Sequence, residues 1–454
     1  MGSTTQGTTN KLSFGLKLGY SSGAFGQEFV YSTIGFFLMY FFTDVALIGA
    51  ALAGIMLTIS RLWDAFADLL MGYISDHTKS RWGQRRPYIL FGAIPLGILF
   101  FLVFQTPSLP PMERTIYYGI IIFLVWTAFS VVTVSYGAMV PNITMDPKER
   151  ASLVGVRQVL VIIALIVIGG VTKPIVALFP TQQIGWGNVA LLFAILVVVT
   201  QVIAFFSTSE TYSAEKVTGY KLKDSYKMVW QNKPFVMLCV ALLLLYTVTV
   251  MASSVLNYFC KYNLQNEGFI SIALISMFGL SALLLPLWVM ISNKIGKKMV
   301  YILGLAIFGC GFLWMFFMNG TDIVTWLPVF ILLGIGFSAA MLSIFSIVAE
   351  TIEYGEWKLG VRTEGILYGV YIFTMKLAAS VAMLIIGFGL EWAGYVPNVV
   401  QTQTALNGIR TLSTIVPFAI LIAGAIIMCF YPLDEKKHAM IVKEIEERKQ
   451  TTKA

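Results

Sequence analysis

The chain has 454 residues, of which 57% are hydrophobic and only 12% are charged, and its mean hydropathy is +0.80. Soluble domains carry roughly 25% charged residues, and the apolar residues here fall in blocks of about 20 to 25, a length that crosses a bilayer as a helix. This composition excludes a soluble globular protein and indicates a polytopic membrane protein. The net charge of +8 does not indicate nucleic-acid binding, because the basic residues form short clusters between apolar blocks.

The apolar blocks predict twelve transmembrane helices. Their approximate bounds are residues 15–42, 47–75, 87–106, 115–140, 153–179, 185–207, 235–260, 268–293, 299–318, 323–349, 364–392 and 410–431. Alternate connections hold most of the bases, whereas the intervening connections have only one each: Arg114, Lys173, Lys261 and Arg410. The positive-inside rule therefore places the basic connections and both termini in the cytoplasm, and we expect a bacterial inner-membrane protein.

The longest polar interruption, residues 208–234, divides the spans into two groups of six. We predict a tail at 1–14, a six-helix bundle at 15–207, a linker at 208–234, a second bundle at 235–431 and a tail at 432–454. The connection SDHTKSRWGQRRPYIL in the first bundle has a counterpart, SNKIGKKMVYIL, in the second. This weak repeat predicts an all-α membrane protein of two pseudo-symmetric six-helix bundles, the major facilitator fold.

Two acids, Asp64 and Asp68, lie one helical turn apart in the second predicted span. A carboxylate at the middle of a membrane costs at least a few kcal/mol, so two on one helix face indicate a cation or proton pathway. Arg61 lies one turn earlier on that face. The alternative is that Arg61 neutralises Asp64 in a folding salt bridge, which would still leave one acid over.

The four cysteines lie in or beside apolar segments without CxxC spacing, and the only histidines, His77 and His438, fall in charged stretches. These patterns argue against a zinc site or a histidine-based catalytic centre. We therefore expect neither an enzyme nor a cofactor.

Several segments together resemble one known family. RLWDAFADLLMGYISD, TKSRWGQRRPYILFG, GAFGQEF and EYGEWKLGVRTEG are similar to segments of the glycoside-pentoside-hexuronide cation symporters, the melibiose-carrier type within the major facilitator superfamily. The resemblance extends over almost the whole chain. It implies that a sugar and a coupling cation share a central cavity, with Asp64 and Asp68 binding the cation and hydroxyls of the fourth span, here Ser130 and Thr133, approaching it.

The identity of the coupling ion is left open by one departure from that family. Sodium-using relatives commonly have an amide residue immediately before the second aspartate, and this chain has Ala67. Loss of an oxygen ligand weakens a sodium site more than a proton site, because two neighbouring carboxylates can share a proton. We therefore favour H+ over Na+. The alternative is that Ala67 faces another helix and that other oxygens complete a sodium site at Asp64 and Asp68.

The predicted sugar site differs from that of the resembling family at more positions. The family's fourth-span acid and tryptophan align with Thr133 and Gly137, which weakens the expected grip on sugar hydroxyls. Glu28, in GAFGQEF, matches a sugar-binding acid of the first span, and a carboxylate suits recognition of vicinal hydroxyls. Its alternative role is a salt bridge with Arg157 or Lys376.

Aromatic and basic residues complete the predicted sugar site. Tyr31, Trp126 and Tyr136 are candidates for stacking against a sugar, although each is equally explained by helix packing. Arg157 resembles a family arginine near the sugar, with contact to lipid phosphate as the alternative. Lys376, a lone cation within the eleventh span, matches a family lysine near the cation site and is expected to contact substrate or tune the aspartates.

Coupling and gating are assigned to charged residues. Arg61 and Lys376 are expected to act on the aspartates, while Glu353, Glu356 and Arg362 are expected to join opposite charges that close the cytoplasmic side. The alternative for this last group is an ordinary solvated cluster, in which an exposed pair contributes up to about 1 kcal/mol.

The resulting hypothesis is a secondary active transporter that moves a glycoside with H+ or Na+ by alternating access, as a monomer in contact with membrane lipid. A hexuronide, for which Lys376 or Arg157 would be the counter-ion, is the alternative substrate. A membrane sugar sensor that does not transport is the alternative class.

Overall fold

The computed structural model describes residues 11–144, 146–210, 229–320, 322–360 and 364–451. Every regular element in these ranges is helical, as the prediction of an all-α membrane protein requires. In chain order the helices are α1 Phe14–Thr33, α2 Ala50–His77, α3 Arg86–Val103, α4 Pro111–Gly137, α5 Val140–Ile143, α6 Pro147–Ala177, α7 Gln182–Ser207, α8 Lys233–Tyr258, α9 Phe269–Ile295, α10 Lys297–Phe317, α11 Ile323–Leu359, α12 Glu364–Trp392, α13 Gln403–Ser413, α14 Ile415–Cys429 and α15 Glu435–Thr451. A helix is the expected form, because it satisfies every backbone polar group within lipid.

Within the described ranges, eleven helical segments are long and apolar enough to cross a membrane, the first being Ala50–His77. The predicted first span precedes them. There α1 is capped by Ser13, whose side chain accepts a hydrogen bond from the Leu16 amide, and it continues into π-helical turns at Ile34–Leu38 and Phe41–Val45. Together these segments supply the twelve predicted spans.

Most predicted bounds agree within a few residues, and two differences have a clear physical reason. α11 continues ten residues beyond the predicted end at 349, because charged side chains do not end a helix; it stops at Gly360, whose φ of 71° gives the left-handed cap. The predicted last span is divided at Thr414, which has φ −132° and ψ −69°. Pro417 explains the break, since it has no N–H to donate to the carbonyl four residues earlier.

The described residues form two compact units. Unit 1 consists of the described parts of Met1–Ile34, Trp63–Ile168 and Ile175–Val217, and unit 2 of those of Gly35–Leu62, Gly169–Pro174 and Thr218–Ala454. Inside unit 1, α1 packs on α7 and α3 packs on α4 and α7. Inside unit 2, α8 packs on α14 and α10 packs on α11 and α14. These three pairings of the second half repeat the three of the first, so the predicted internal repeat is present in this part of the packing.

The repeat extends to a detail of the backbone. Gly83, with φ 108°, precedes α3, and Gly296, with φ 90°, precedes α10. A Cβ at Gly83 would collide with the carboxylate of Glu210, which follows α7, and a Cβ at Gly296 would collide with that of Glu435, which follows α14. Glycine suits these two positions, because any other residue is strained at a positive φ.

Both carboxylates cap the helix that begins there. Glu210 accepts hydrogen bonds from the three backbone amides of residues 84–86 at 2.8 to 2.9 Å. Glu435 accepts one from the Lys297 amide at 2.7 Å. A negative charge at a helix N-terminus satisfies unpaired donors and complements the helix dipole. The last helix of each half is thereby tied to the start of its third helix.

Candidate cation and sugar site

The proposed cation ligands lie on α2, which is continuous from Ala50 to His77. Asp64 is fully buried, Arg61 is 5% exposed, and Asp68 is half-buried. The spacing of three and four residues places the three side chains on one face of the helix. A buried acid at this depth needs polar neighbours, because an uncompensated charge is costly away from water.

Ser130 of α4 supplies such a neighbour. Its Oγ donates a hydrogen bond to Asp64 Oδ1 at 3.1 Å, and Ser130 is 1% exposed. The structure therefore brings together two of the four residues predicted for the cation site. Thr133 lies one turn further along α4, but its Oγ1 donates to the Phe129 carbonyl of its own helix at 2.8 Å. Its part in the site stays a prediction.

Aromatic contacts fix α4 beside this part of α2. Trp63 Nε1 donates to Thr127 Oγ1 at 2.8 Å. The Trp63 ring also stacks on Phe123, with ring centroids 4.3 Å apart. Since Trp63 immediately precedes Asp64 and Thr127 lies one turn before Ser130, these contacts set the register in which the serine meets the acid.

The predicted sugar residues of α1 and α4 are neighbours. Glu28 and Tyr31 are half-buried on α1, and Ser32 donates a short hydrogen bond to Glu28 Oε1. Tyr31 meets the buried Trp126 edge-on at 6.2 Å and stacks with Phe129 at 5.9 Å between ring centroids. α1 therefore presents a carboxylate and, one turn further on, an aromatic ring that packs on α4.

Tyr136 has a different environment. Its ring stacks on Tyr20 of α1 at 4.4 Å, and each hydroxyl donates to the other residue's backbone carbonyl, at 2.8 and 3.2 Å. The Arg157 guanidinium lies 5.6 Å from the centroid of the Tyr136 ring. These contacts support the packing alternative for Tyr136, and they give Arg157 a cation–π contact within unit 1.

Lys376 is half-buried on α12. Four residues further on, the Ser380 carbonyl accepts a hydrogen bond from Thr58 Oγ1 of α2 at 3.0 Å. Arg61 follows Thr58 by three residues. Both predicted tuning cations thus lie within one helical turn of the same α2–α12 contact in unit 2.

The predicted gating residues lie at the end of α11. The Glu353 carboxylate makes a short contact with His438 Nε2 of α15. Glu356 lies one turn further on, and Arg362 lies outside the described residues. The C-terminal helix, which the sequence placed in a tail, therefore contacts one predicted gating residue, and closure of the cytoplasmic side stays a prediction.

A buried charged group at the other end of the first span was not predicted from the sequence. Asp44 is 4% exposed, and its carboxylate pairs with Lys261 at 2.8 Å. Two signals were available: a lone acid ends the run FFLMYFFTD, and a lone base follows NYFC at the end of the seventh span. An ionisable residue in each of two equivalent helix ends favours a pairing.

This architecture is similar to that of proteins with solved structures. The fold is similar to the crystal structure of the nucleoside transporter NupG, with a TM-score of 0.65 at 13% identity over 92% of this chain and 99% of that one. The likeness shows that the chain has the fold of that structure, in agreement with the twelve spans and the internal repeat.

The sequence comparisons identify the family. The family model described as MFS/sugar transport protein matches residues 19–435. The chain is 32% identical to a protein of Escherichia coli (strain K12) named glucuronide carrier protein homolog, over 97% of each chain. It is 29% identical to the isoprimeverose transporter of Lactiplantibacillus pentosus, over 95% of this chain and 91% of the other. The chain belongs to the MFS sugar transport family.

Membership of this family confirms the main prediction from the sequence. The protein is a multi-pass secondary transporter of the sugar symporter class, and it is not an enzyme.

Proposed function

We propose that the protein moves a neutral glycoside together with a proton into the cell across a bacterial inner membrane, as a monomer with both termini in the cytoplasm. Asp64 and Asp68 bind the coupling ion, and Glu28 with Tyr31 and Trp126 binds the sugar. The observation that carries this proposal is the hydrogen bond from Ser130 to the fully buried Asp64. It supplies a hydroxyl oxygen to a membrane-embedded acid, one turn from a second acid on the same helix face.

The residues around Asp64 and Asp68 favour a proton over sodium as the coupling ion. Ala67, which is 5% exposed, offers no side-chain oxygen where sodium-using relatives have an amide. A sodium ion needs several oxygen ligands, whereas a proton needs one carboxylate and is stabilised by a second nearby. The hydroxyl of Ser130 can donate to the ionised acid and accept from the protonated one, so it suits both states of a proton carrier.

Sugar-driven ion flux tests the assignment of the acids. Purified protein is first screened for thermal stabilisation by neutral glycosides and hexuronides, each at acid pH or with sodium, because a bound ligand stabilises the folded state. With the stabilising sugar, internal alkalinisation or sodium entry is then measured in membrane vesicles. We expect alkalinisation, and we expect Asp64→Asn and Asp68→Asn to abolish it.

Ser130→Ala gives a graded version of this test. A hydrogen bond to a charged group is worth about tenfold or more in an equilibrium, so the half-saturating ion concentration should shift by that factor. The matched controls are Asp322→Asn, an exposed acid, and Ser346→Ala, whose hydroxyl bonds the Leu342 carbonyl of its own helix. Undiminished coupled uptake in the double variant of Asp64 and Asp68 would refute the site, and sodium entry would replace the proton.

A further inference from the structure

Two equivalent helices of the repeat end in the same unusual way. α1 is followed by a π-helical turn at Phe41–Val45, and α8 by one at Phe259–Asn263. In each case a tyrosine, Tyr40 or Tyr258, immediately precedes the turn. π-helical turns are rare and concentrate at functional positions, so their recurrence at matching ends of the two halves indicates a shared role.

The backbone matches residue by residue beyond these turns. Ala46 and Ile48 donate to the carbonyls of Phe41 and Phe42 at 2.8 Å, and the corresponding bonds of residues 264 and 266 are 3.0 and 2.9 Å. Leu47, with φ 56°, and Gln265, with φ 54°, occupy the same left-handed position. A non-glycine residue in this region is strained. Both halves therefore hold the same strained ending.

The two endings bond to each other inside unit 2. The rings of Tyr40 and Tyr258 meet edge-on with centroids 5.9 Å apart. Lys261 Nζ donates to the Tyr40 hydroxyl at 3.0 Å, and Thr43 Oγ1 lies 2.8 Å from the Tyr258 hydroxyl. Each turn thus hydrogen-bonds the tyrosine that precedes the other turn.

Asp44 lies at the centre of this contact, with a side chain that is 0% exposed. Its Oδ1 accepts from Lys261 Nζ at 2.8 Å and from the Tyr262 hydroxyl in a short bond. Its Oδ2 accepts from the Tyr395 hydroxyl at 2.5 Å and from Thr43 Oγ1 at 2.8 Å. One carboxylate therefore joins the ends of the first and seventh spans to the connection after α12.

Asn398 closes the same connection over the group. Its Nδ2 donates to the Asp44 carbonyl at 2.6 Å, its Oδ1 accepts from Lys261 Nζ at 2.8 Å, and its amide donates to the Tyr262 hydroxyl at 3.0 Å. A second ion pair lies alongside, between Lys173 and Glu267 at 2.8 Å. Lys173 also lies 3.7 Å from the centroid of the Tyr40 ring.

We propose that Tyr40, Asp44, Tyr258, Lys261, Tyr262 and Tyr395 form an outer lock, which holds the extracellular ends of these helices together and opens when Asp44 loses its donors to water. The placement on the outer side rests on the orientation given under the proposed function. A fully satisfied buried carboxylate is stable, and so is a hydrated one, but a half-satisfied one is not. The group therefore favours two discrete states, closed and open, as alternating access requires.

A cysteine inside the lock reports which state is present. In a chain with serine at the four native cysteines, Thr43→Cys places a thiol at a position that is 1% exposed. A membrane-impermeant maleimide is applied to right-side-out vesicles, and the labelling rate is measured in Thr43→Cys alone and combined with Asp44→Asn or Tyr395→Phe. The Tyr395→Phe variant keeps the ring and removes one hydroxyl, so it is expected to fold.

We expect slow labelling of Thr43→Cys alone, because Lys261, Tyr262 and Tyr395 still donate to the Asp44 carboxylate. The rate should be about tenfold higher or more in both combinations, because each removes a further interaction with the charged group. The matched controls, Asp322→Asn and Tyr368→Phe, alter exposed residues and should leave the rate unchanged. An unchanged rate in both lock variants, with the protein eluting as a single folded species, overturns the proposal.

The test is separate from that of the proposed function, because labelling needs neither sugar nor coupling ion. An unchanged labelling rate in the lock variants refutes the lock whatever the uptake, and undiminished coupled uptake in the double variant of Asp64 and Asp68 refutes the transport site whatever the labelling rate. Labelling only in inside-out vesicles would contradict the outer placement of the lock and the orientation on which it rests.

Discussion

A methyl group added at Gly54 should separate α2 from α12. A Cβ built there lies 2.7 Å from the Met383 carbonyl oxygen and 3.0 Å from Gly387 Cα, and a Cβ at Gly387 lies 2.7 Å from the Ala50 carbonyl oxygen. Ordinary contact begins at 3.4 Å, and backbone atoms cannot turn aside. The two helices must therefore move apart by several tenths of an ångström at this crossing.

The energetic consequence follows from the contacts on either side of the crossing. The Ala51 amide donates to Glu391 Oε2 at 3.0 Å, and Thr58 Oγ1 donates to the Ser380 carbonyl at 3.0 Å. Both bonds lengthen when the helices separate. Overpacking typically costs about 1 to 3 kcal/mol. We expect Gly54→Ala to lower the melting temperature of the purified protein by a few degrees, since about 1 kcal/mol shifts a domain of 150 to 250 residues by roughly 2 to 4 °C.

The assay is thermal unfolding followed by intrinsic fluorescence, with a control on each helix. At Gly72 on α2 and Gly369 on α12, an added methyl group would meet no atom within 4 Å. Gly72→Ala and Gly369→Ala should therefore be neutral or stabilising by up to about 1 kcal/mol through helix propensity. If Gly54→Ala melts at or above the temperature of Gly72→Ala, the close backbone crossing is not what holds these helices together.

Two further predictions concern charged groups outside the membrane-spanning segments. Glu210→Ala should lower the melting temperature, because it leaves three amides at the start of α3 without their acceptor. The loss of a helix cap costs about 0.5 to 2 kcal/mol. Glu113→Ala, at an exposed acid, is the control, and an equal fall in melting temperature there would refute the cap. For Glu267, burial opposes ionisation but the Lys173 ammonium outweighs it, so the pKa of Glu267 lies below its usual 4.5. A lowered pKa gives stability that is present above pH 4.5 and is lost as the pH falls through the pKa of the folded state. The melting temperature should therefore fall more steeply below pH 4.5 in the native protein than in Glu267→Gln. Parallel curves of melting temperature against pH would contradict the pairing of Glu267 with Lys173.

The fold could be predicted from the sequence because the patterns that indicate it involve residues that are close together in the chain. Apolar blocks of membrane-spanning length, basic connections and the glycine turns of RWGQRR and NKIGKK depend on neighbours in the chain, and the helix bounds followed within a few residues. Ser130 was expected near Asp64 through the family resemblance, and the hydrogen bond between them agrees with that expectation.

The outer lock, by contrast, depends on contacts between residues that lie far apart in the chain. Asp44, Lys261 and Tyr395 are separated by more than a hundred residues at each step, and nothing local says that a lone acid will meet a lone base. The π-helical turns are not predicted from the sequence either, because YFFTDV and YFCKYN resemble ordinary apolar helix ends. What distinguishes them is that an aspartate in one turn and a lysine in the other lie at ends that the repeat makes equivalent.

α2 links these features in one element. It has 28 residues, about 42 Å at 1.5 Å per residue, and its sequence from Ala50 to His77 contains no proline to bend it. Its first half, to Leu62, groups with α12 in unit 2, and its second half, from Trp63, groups with α4 in unit 1. The division falls between Arg61 and Asp64. The backbone crossing of Gly54 with Gly387 and the hydrogen bond from Ser130 to Asp64 are therefore made by one continuous helix, so that a single element supplies the close helix contact of unit 2 and the buried acid of unit 1.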